Sequence, residues 1–134
     1  MDISQVPQNK PLLVILLAED NELNQFLINQ VLSDWNMEVH TVLNGLEALQ
    51  KIAEINFDLI LMDMEMPLMD GYEAIRKIRL LDGINADLPI ISLTAHSEDS
   101  EIEKCLAAGA NAYVSKPFEP DELLQTIQQL TTGT

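Results

Sequence analysis

The chain is short of cysteine, of aromatics and of basic residues. It has one Cys, one Trp, 4% aromatic residues, and seven Lys plus Arg against 22 Asp plus Glu, for a formal net charge of -15. Each shortage excludes something. Cys105 alone cannot close an internal disulfide, which fits a reducing compartment. A surface this acidic repels phosphate backbones and anionic lipid, so direct nucleic-acid or membrane binding is not expected. It suits a partner with a basic patch, or a bound cation. The longest apolar run, Leu12 to Ala18, is seven residues, far below the roughly 18–20 of a membrane span. It follows Pro11 and ends at Glu19, unlike a signal peptide, so the expected compartment is the cytoplasm. There is no internal repeat and no low-complexity tract.

What is present suffices for one domain. The 134 residues are 47% hydrophobic and 22% charged, and domains most often run about 100–150 residues. Residues 1–11 are polar, carry two prolines and show no period, which reads as a tail or linker. The folded domain is expected over 12–131, with 132–134 as a short tail. Within it, apolar runs at Leu12–Ala18, Met37–Val42, Asp58–Asp63, Leu88–Thr94 and Ala112–Ser115 alternate with helical patterns. LLVILLA, DLILMD and LPIISLT are nearly continuous in apolar residues, as strands covered on both faces are.

The helical stretches each show a stripe. Leu23, Phe26, Leu27, Val31, Leu32 and Trp35 share helical spacing, as do Ala48, Leu49, Ile52 and Ala53 behind Asn44 and Glu47, placed like a capping box. Asp70 and Glu73 precede Ile75, Ile78 and Leu81. Ser97 is expected to cap a helix carrying Ile102, Cys105 and Leu106 that stops near Gly109. Pro120, Asp121 and Glu122 open the last helix, which bears Leu123, Leu124, Ile127 and Leu130. Five strand–helix repeats imply an α/β fold, a doubly wound parallel sheet with right-handed crossovers. In such sheets ligands bind beyond the carboxyl ends of the strands.

Those ends are informative. The first strand runs into Glu19 and Asp20, the third ends in Asp63, the fourth in Thr94, and the fifth in Ser115, Lys116 and Pro117. If strands one and three are neighbours, three carboxylates converge. Like charges so close raise each other's pKa or call for a cation. An oxygen-only cluster with open positions suits Mg²⁺. Lys116 adds a fixed positive charge and Thr94 a hydroxyl donor, which completes the parts of a phosphoryl-transfer site with Asp63 as the carboxylate nucleophile.

With AEDN at 18–21, LILMDMEMPLMDG at 59–71, LTA at 93–95 and AGANAYVSKPF at 108–118 in order, the chain resembles the receiver (response-regulator) domain of two-component signalling. The likeness covers about Leu12 to Leu130. It implies a (βα)5 flavodoxin-like sheet in the order 2-1-3-4-5. It implies that Asp63 accepts a phosphoryl group from a phosphohistidine on a histidine kinase or histidine phosphotransfer protein. By the same resemblance Glu19 and Asp20 bind Mg²⁺, with the backbone carbonyl of Glu65 as a further ligand beside Asp63. Thr94 and Lys116 contact the phosphoryl group. Tyr113 changes rotamer as the Thr94 hydroxyl moves, and Pro117 follows a cis bond. The helix at Ser97–Gly109, the strand at Ala112–Ser115 and the final helix form the face whose partner preference changes. The AEDNELNQ stretch is similar to receivers attached to hybrid sensor kinases; a stand-alone regulator is the alternative.

Departures and rivals are few. Glu19 stands where Asp is usual. Glu65 and His96 flank the site where the family varies, and such side chains influence how long the phosphate survives. A phosphatase or mutase using an aspartyl phosphate would pair the nucleophile with a second Asp two residues on, where Glu65 stands. A flavin mononucleotide carrier would need a hydroxyl-rich loop after strand one, where Glu19 and Asp20 repel phosphate. A pseudo-receiver is opposed by the complete residue set. Slow, self-directed chemistry does not make the domain an enzyme in the ordinary sense. The methionines 62, 64, 66 and 69 and Cys105 read as packing, Trp35 as packing at the end of its stripe, and His40 as a surface residue.

Overall fold

The structure, a computed structural model, describes residues 13–131. The expected tails at 1–11 and 132–134, and the start of the first strand at Leu12, lie outside the described residues. The strands are β1 (Val14–Ala18), β2 (Glu38–Val42), β3 (Leu59–Asp63), β4 (Ile90–Thr94) and β5 (Ala112–Ser115). The helices are α1 (Glu22–Asp34), α2 (Gly45–Glu54), α3 (Gly71–Arg79), α4 (Asp99–Ala108) and α5 (Pro120–Thr131). All strand pairs are parallel and the order is β2-β1-β3-β4-β5, as the sequence predicts. β3 and β4, apolar almost throughout, are buried at every position.

Side chains alternate between the two faces of the sheet. Leu16, Ala18, Ile60, Met62 and Ile90 pack with Ile52 of α2, Ile75 and Ile78 of α3 and Cys105 of α4. Ile15, Leu17, Leu61, Ile91, Leu93 and Val114 pack with Ile28 and Leu32 of α1 and Leu123, Leu124 and Ile127 of α5. Each fully buried aliphatic side chain contributes about 1.5–3 kcal/mol. With both faces covered in this way, the sheet is a rigid frame whose carboxyl edge presents the loops after β1, β3, β4 and β5.

Helix starts follow the caps. The Asn44 side chain accepts from Glu47 N–H at 3.0 Å and Asp70 from Glu73 N–H at 2.9 Å. Gly71 sits where a Cβ would collide with the Asp63 carbonyl oxygen and come within 2.8 Å of Met64 Cα. Glycine therefore lets α3 start directly against the end of β3, which holds the loop carrying Glu65 close to Asp63.

The structure corrects the expectations for α1 and α4. In α1 the buried residues are Ile28 and Leu32, with Val31 partly buried, whereas Leu23, Phe26, Leu27 and Trp35 are exposed. Leu23 and Phe26 lie across the helical wheel from Ile28 and Leu32, so the apolar stripe read as core is for the most part an outward surface. Ser97 does not cap α4; the N-cap is Glu98, with no side-chain cap bond. A short 3₁₀ helix, Gly83–Asp87, was not expected and fills the connection before β4. Ala53, Leu81 and Leu106, assigned to apolar stripes, are exposed. Met62, Met64 and Met69 are buried, as is Cys105, in line with packing roles. His40 is half-buried against Phe57, ring centroids 5.5 Å apart.

Candidate functional site

Because β1 and β3 are adjacent, the chain turns that leave them bring Glu19, Asp20 and Asp63 together. One carboxylate oxygen from each lies within 4.8 Å of the others, a set that can hold a metal ion. Glu19 and Asp63 are buried and Asp20 is exposed at the mouth. Lys116 reaches over from the end of β5: its Nζ lies 2.8 Å from Glu19 Oε1 and 3.1 Å from Asp63 Oδ1. The Lys116–Pro117 bond is cis, as the sequence resemblance implies.

The backbone supports these groups. Asp63 Oδ1 also accepts from Glu65 N–H at 3.1 Å. Glu19 Oε2 accepts from Asn21 N–H at 3.1 Å, and the Gln25 side-chain amide donates to the Glu19 carbonyl at 2.6 Å. Asn21 in turn caps α1, its Oδ1 accepting from Asn24 N–H at 2.9 Å. Neither the Asn21 contacts nor Gln25 were anticipated. The signal available was an asparagine directly before a helical period; nothing in the sequence marks Gln25.

Electrostatically the site is strained in a defined direction. Burial pushes the Asp63 carboxyl up to about 7; Lys116 and the Glu65 N–H offset part of this, and Glu19 adds to it. Burial alone would lower Lys116. Its hydrogen bond to Glu19 and the charge of Asp63 outweigh that and hold it above the ordinary lysine value. The ammonium is shared between two carboxylates and cannot fully neutralise both.

Thr94, also buried, keeps its hydroxyl on its own loop: Oγ1 donates to the His96 carbonyl at 3.1 Å and accepts from His96 N–H at 3.0 Å. The Glu65 and His96 side chains meet at 2.9 Å, joining the loops after β3 and β4. Tyr113 lies on β5, partly exposed, and pairs in register with Ser92 rather than with Thr94. The cleft, about 200 Å³, is lined by Glu19, Asp20, Asp63, Glu65, Thr94 and Lys116 among others. All the sequence-predicted site residues except Tyr113 and Pro117 line it.

A doubly wound sheet with an acidic, lysine-bridged cleft at its carboxyl edge is the architecture of signalling receivers, and the chain belongs to that family. It matches the response regulator receiver domain over residues 15–128. It is 39% identical over 119 residues to hybrid signal transduction histidine kinase G of Dictyostelium discoideum, covering 87% of this chain and 4% of that protein. It is similar to the receiver domain of the sensor histidine kinase PA1611 from Pseudomonas aeruginosa, a crystal structure with magnesium in its active-site cleft. There the TM-score is 0.84 and the identity 38%, over 90% of this chain and 98% of that one. It is also similar, at a TM-score of 0.83 and 28% identity over 91% and 90% of the two chains, to a co-crystal from Saccharomyces cerevisiae. That crystal pairs the histidine phosphotransfer protein Ypd1 with the receiver domain of its downstream response regulator Ssk1. The chain spans between 4% and 55% of the length of the first curated relatives it matches. No helix among the described residues is long and apolar enough to cross a membrane.

Proposed function

We propose that the chain is a phosphorylation-controlled switch in which Asp63 accepts a phosphoryl group from a phosphohistidine on a histidine kinase or histidine phosphotransfer protein. The observation that carries this reading is the lysine-bridged cluster: Glu19, Asp20 and Asp63 converge within 4.8 Å and Lys116 spans two of them. A carboxylate oxygen of Asp63 attacks phosphorus, the P–N bond to the imidazole breaks, and its electron pair returns to the ring nitrogen. The product is an acyl phosphate.

An all-oxygen donor set of this charge fits Mg²⁺. Glu19, Asp20, Asp63 and the Glu65 carbonyl would hold it, and when bound it supplies positive charge for the carboxylates and phosphoryl oxygens. Lys116, in contact with Glu19 and Asp63, contributes a second positive charge. It exchanges a carboxylate for the phosphoryl group without leaving the cleft. The Thr94 hydroxyl, released from the His96 backbone, donates to the same group, and Tyr113 turns inward behind it. Pro117 shapes the chain beyond Lys116. The result is a changed partner preference on the α4–β5–α5 face, a local charge event biasing a two-state element. The chemistry modifies the domain itself, so the domain is a phosphoacceptor rather than an enzyme of the ordinary kind. Likeness to receivers within hybrid sensor kinases favours that parentage, and a cytoplasmic setting where the phosphohistidine is made. The -15 charge speaks against direct contact with nucleic acid.

Intact mass after incubation with a small phosphodonor and Mg²⁺ tests the reading. The parent gains one phosphoryl group and Asp63→Asn gains none. No gain in the parent, with several donors and with a phosphorylated histidine protein, would overturn it.

A further inference from the structure

Ser92 is fully buried in the middle of β4, and its Oγ has no hydrogen-bond partner among the described residues. An alanine would fill the same strand position without the cost of a buried, unpaired hydroxyl. The neighbouring hydroxyl, Thr94, is satisfied by His96, and Glu19 Oε1, the other buried oxygen without a hydrogen bond among the described residues, is ion-paired with Lys116, which leaves the Ser92 hydroxyl unpaired.

Its surroundings point to a use. Ser92 is the register partner of Tyr113 on β5. Ile91 and Leu93 on one strand, and Ala112 and Val114 on the other, all pack into the core beneath α1 and α5. By alternation Ser92, Thr94 and Tyr113 share the opposite face, the one α4 covers. Tyr113 is 37% exposed, so in this conformation its phenol has access to water. Adjacent strands lie about 4.8 Å apart, and a tyrosine that leans across that spacing carries its hydroxyl over the neighbouring residue. A phenol that leaves water needs a partner, and a serine hydroxyl can both donate and accept.

We propose that Ser92 is the buried hydrogen-bond partner of the Tyr113 hydroxyl in the phosphorylated conformation, a positioning residue for the switch. The inference rests on the switching role of Tyr113 proposed above. In the outward state Ser92 is unpaired; in the inward state each hydroxyl satisfies the other. One residue thereby penalises the resting conformation and supports the active one.

The full chain labelled with 3-fluorotyrosine tests this, because it has two tyrosines and Tyr113→Phe assigns their two fluorine resonances. With Mg²⁺ and beryllofluoride as the phosphoryl mimic, the Tyr113 resonance of the parent moves to a buried environment. In Ser92→Ala, Asp63 still takes up a phosphoryl group by mass, but the inward-to-outward ratio falls about fivefold, the worth of one hydrogen bond. Ser92→Thr, which keeps the hydroxyl, restores it. Ser92→Ala burying Tyr113 as fully as the parent overturns the proposal while leaving the switch intact. A phosphorylated parent whose Tyr113 stays outward overturns both the proposal and the switch reading, and a parent that takes up no phosphoryl group overturns the receiver chemistry as well.

Discussion

Two half-buried cations sit at opposite edges of the same sheet, and their surroundings differ in kind. Arg79, at the end of α3, spends its guanidinium on neutral acceptors. Its Nε and Nη2 donate to the Gly109 carbonyl at 2.9 and 2.8 Å, its Nη1 to the carbonyls of Ala86 and Leu88 at 2.9 and 2.7 Å, and its Nη2 to Asn111 Oδ1 at 2.9 Å. Burial draws its pKa down, the charge of Asp87 offsets part of this, and all five N–H groups find a neutral acceptor. Lys116 faces two carboxylates, and one of those carboxylates is pushed up to about 7. A rigid fork with fixed neutral partners ties segments together; an ammonium shared between two anions stands, under the proposed function, where a partner's charge changes. The amino edge of the sheet is built to stay as it is; on the proposed function the carboxyl edge is the one that is altered.

The sharpest break of that contrast is a pair of substitutions. Lys116→Ala is expected to slow phosphoryl uptake on the order of a hundredfold, as loss of a preorganised charge at a transferring phosphoryl group does. Its effect on thermal stability is smaller, because Asp63 takes up a proton in place of the lost cation. Arg79→Ala should do the reverse. It orphans the carbonyls of Ala86, Leu88 and Gly109, costs about 3 kcal/mol, and leaves uptake per folded molecule within about twofold. Arg79→Lys keeps the charge but not the fork, and recovers only part of the loss. Calorimetric midpoints and time courses by mass check all three. Equal damage to uptake and stability in both alanine variants would dissolve the distinction.

A second, smaller effect separates the two edges by pH. The folded-state pKa of Asp63, about 7, exceeds the ordinary aspartate value of 3.8, so between those values the folded chain holds a proton that the unfolded chain has released. Stability from this group therefore falls as pH rises from about 4 to about 7, and the full penalty persists above that. Without Mg²⁺, the parent should lose thermal stability across that window relative to Asp63→Asn, whose curve lacks this component. Arg79 variants keep the parental slope. A parent and Asp63→Asn with parallel curves would mean that Asp63 ionises in the fold as freely as in the unfolded chain.

How much of this was legible in the sequence differs from part to part for physical reasons. Strands buried on both faces announce themselves as continuous apolar runs, so β3 and β4 were legible, and with them the strand ends that carry Asp63 and Thr94. Caps made by a single side chain, at Asn44 and Asp70, were legible as well. α1 was not: it has apolar residues on both its inward and outward sides, and periodicity alone does not tell a face that meets the core from one that meets solvent. Contacts between separate loops were invisible too. Lys116 bridging Glu19 and Asp63 depends on strand order, and the meeting of Glu65 with His96 joins residues 31 apart in sequence.

That last contact gives the smallest expected effect. The two side chains are 69% and 50% exposed, and an exposed pair of this kind, ionic only when the imidazole is protonated, is worth at most about 1 kcal/mol, or about fivefold in a rate. It links the loops after β3 and β4 beside the cleft, so if it acts as a gate it restricts water's approach to the acyl phosphate of the proposed function. Glu65→Gln and His96→Ala should then each shorten the phosphorylated lifetime by up to about fivefold. Where the His96 imidazole is protonated, high salt should shift the parent toward the variants, since exposed charges are screened. Decay of the phosphorylated mass gives the rates. If instead the Glu65 carboxylate orients the attacking water, Glu65→Gln lengthens the lifetime while His96→Ala, which frees that carboxylate, shortens it. Two changes of the same sign identify a gate, and opposite signs give Glu65 a direct part in hydrolysis.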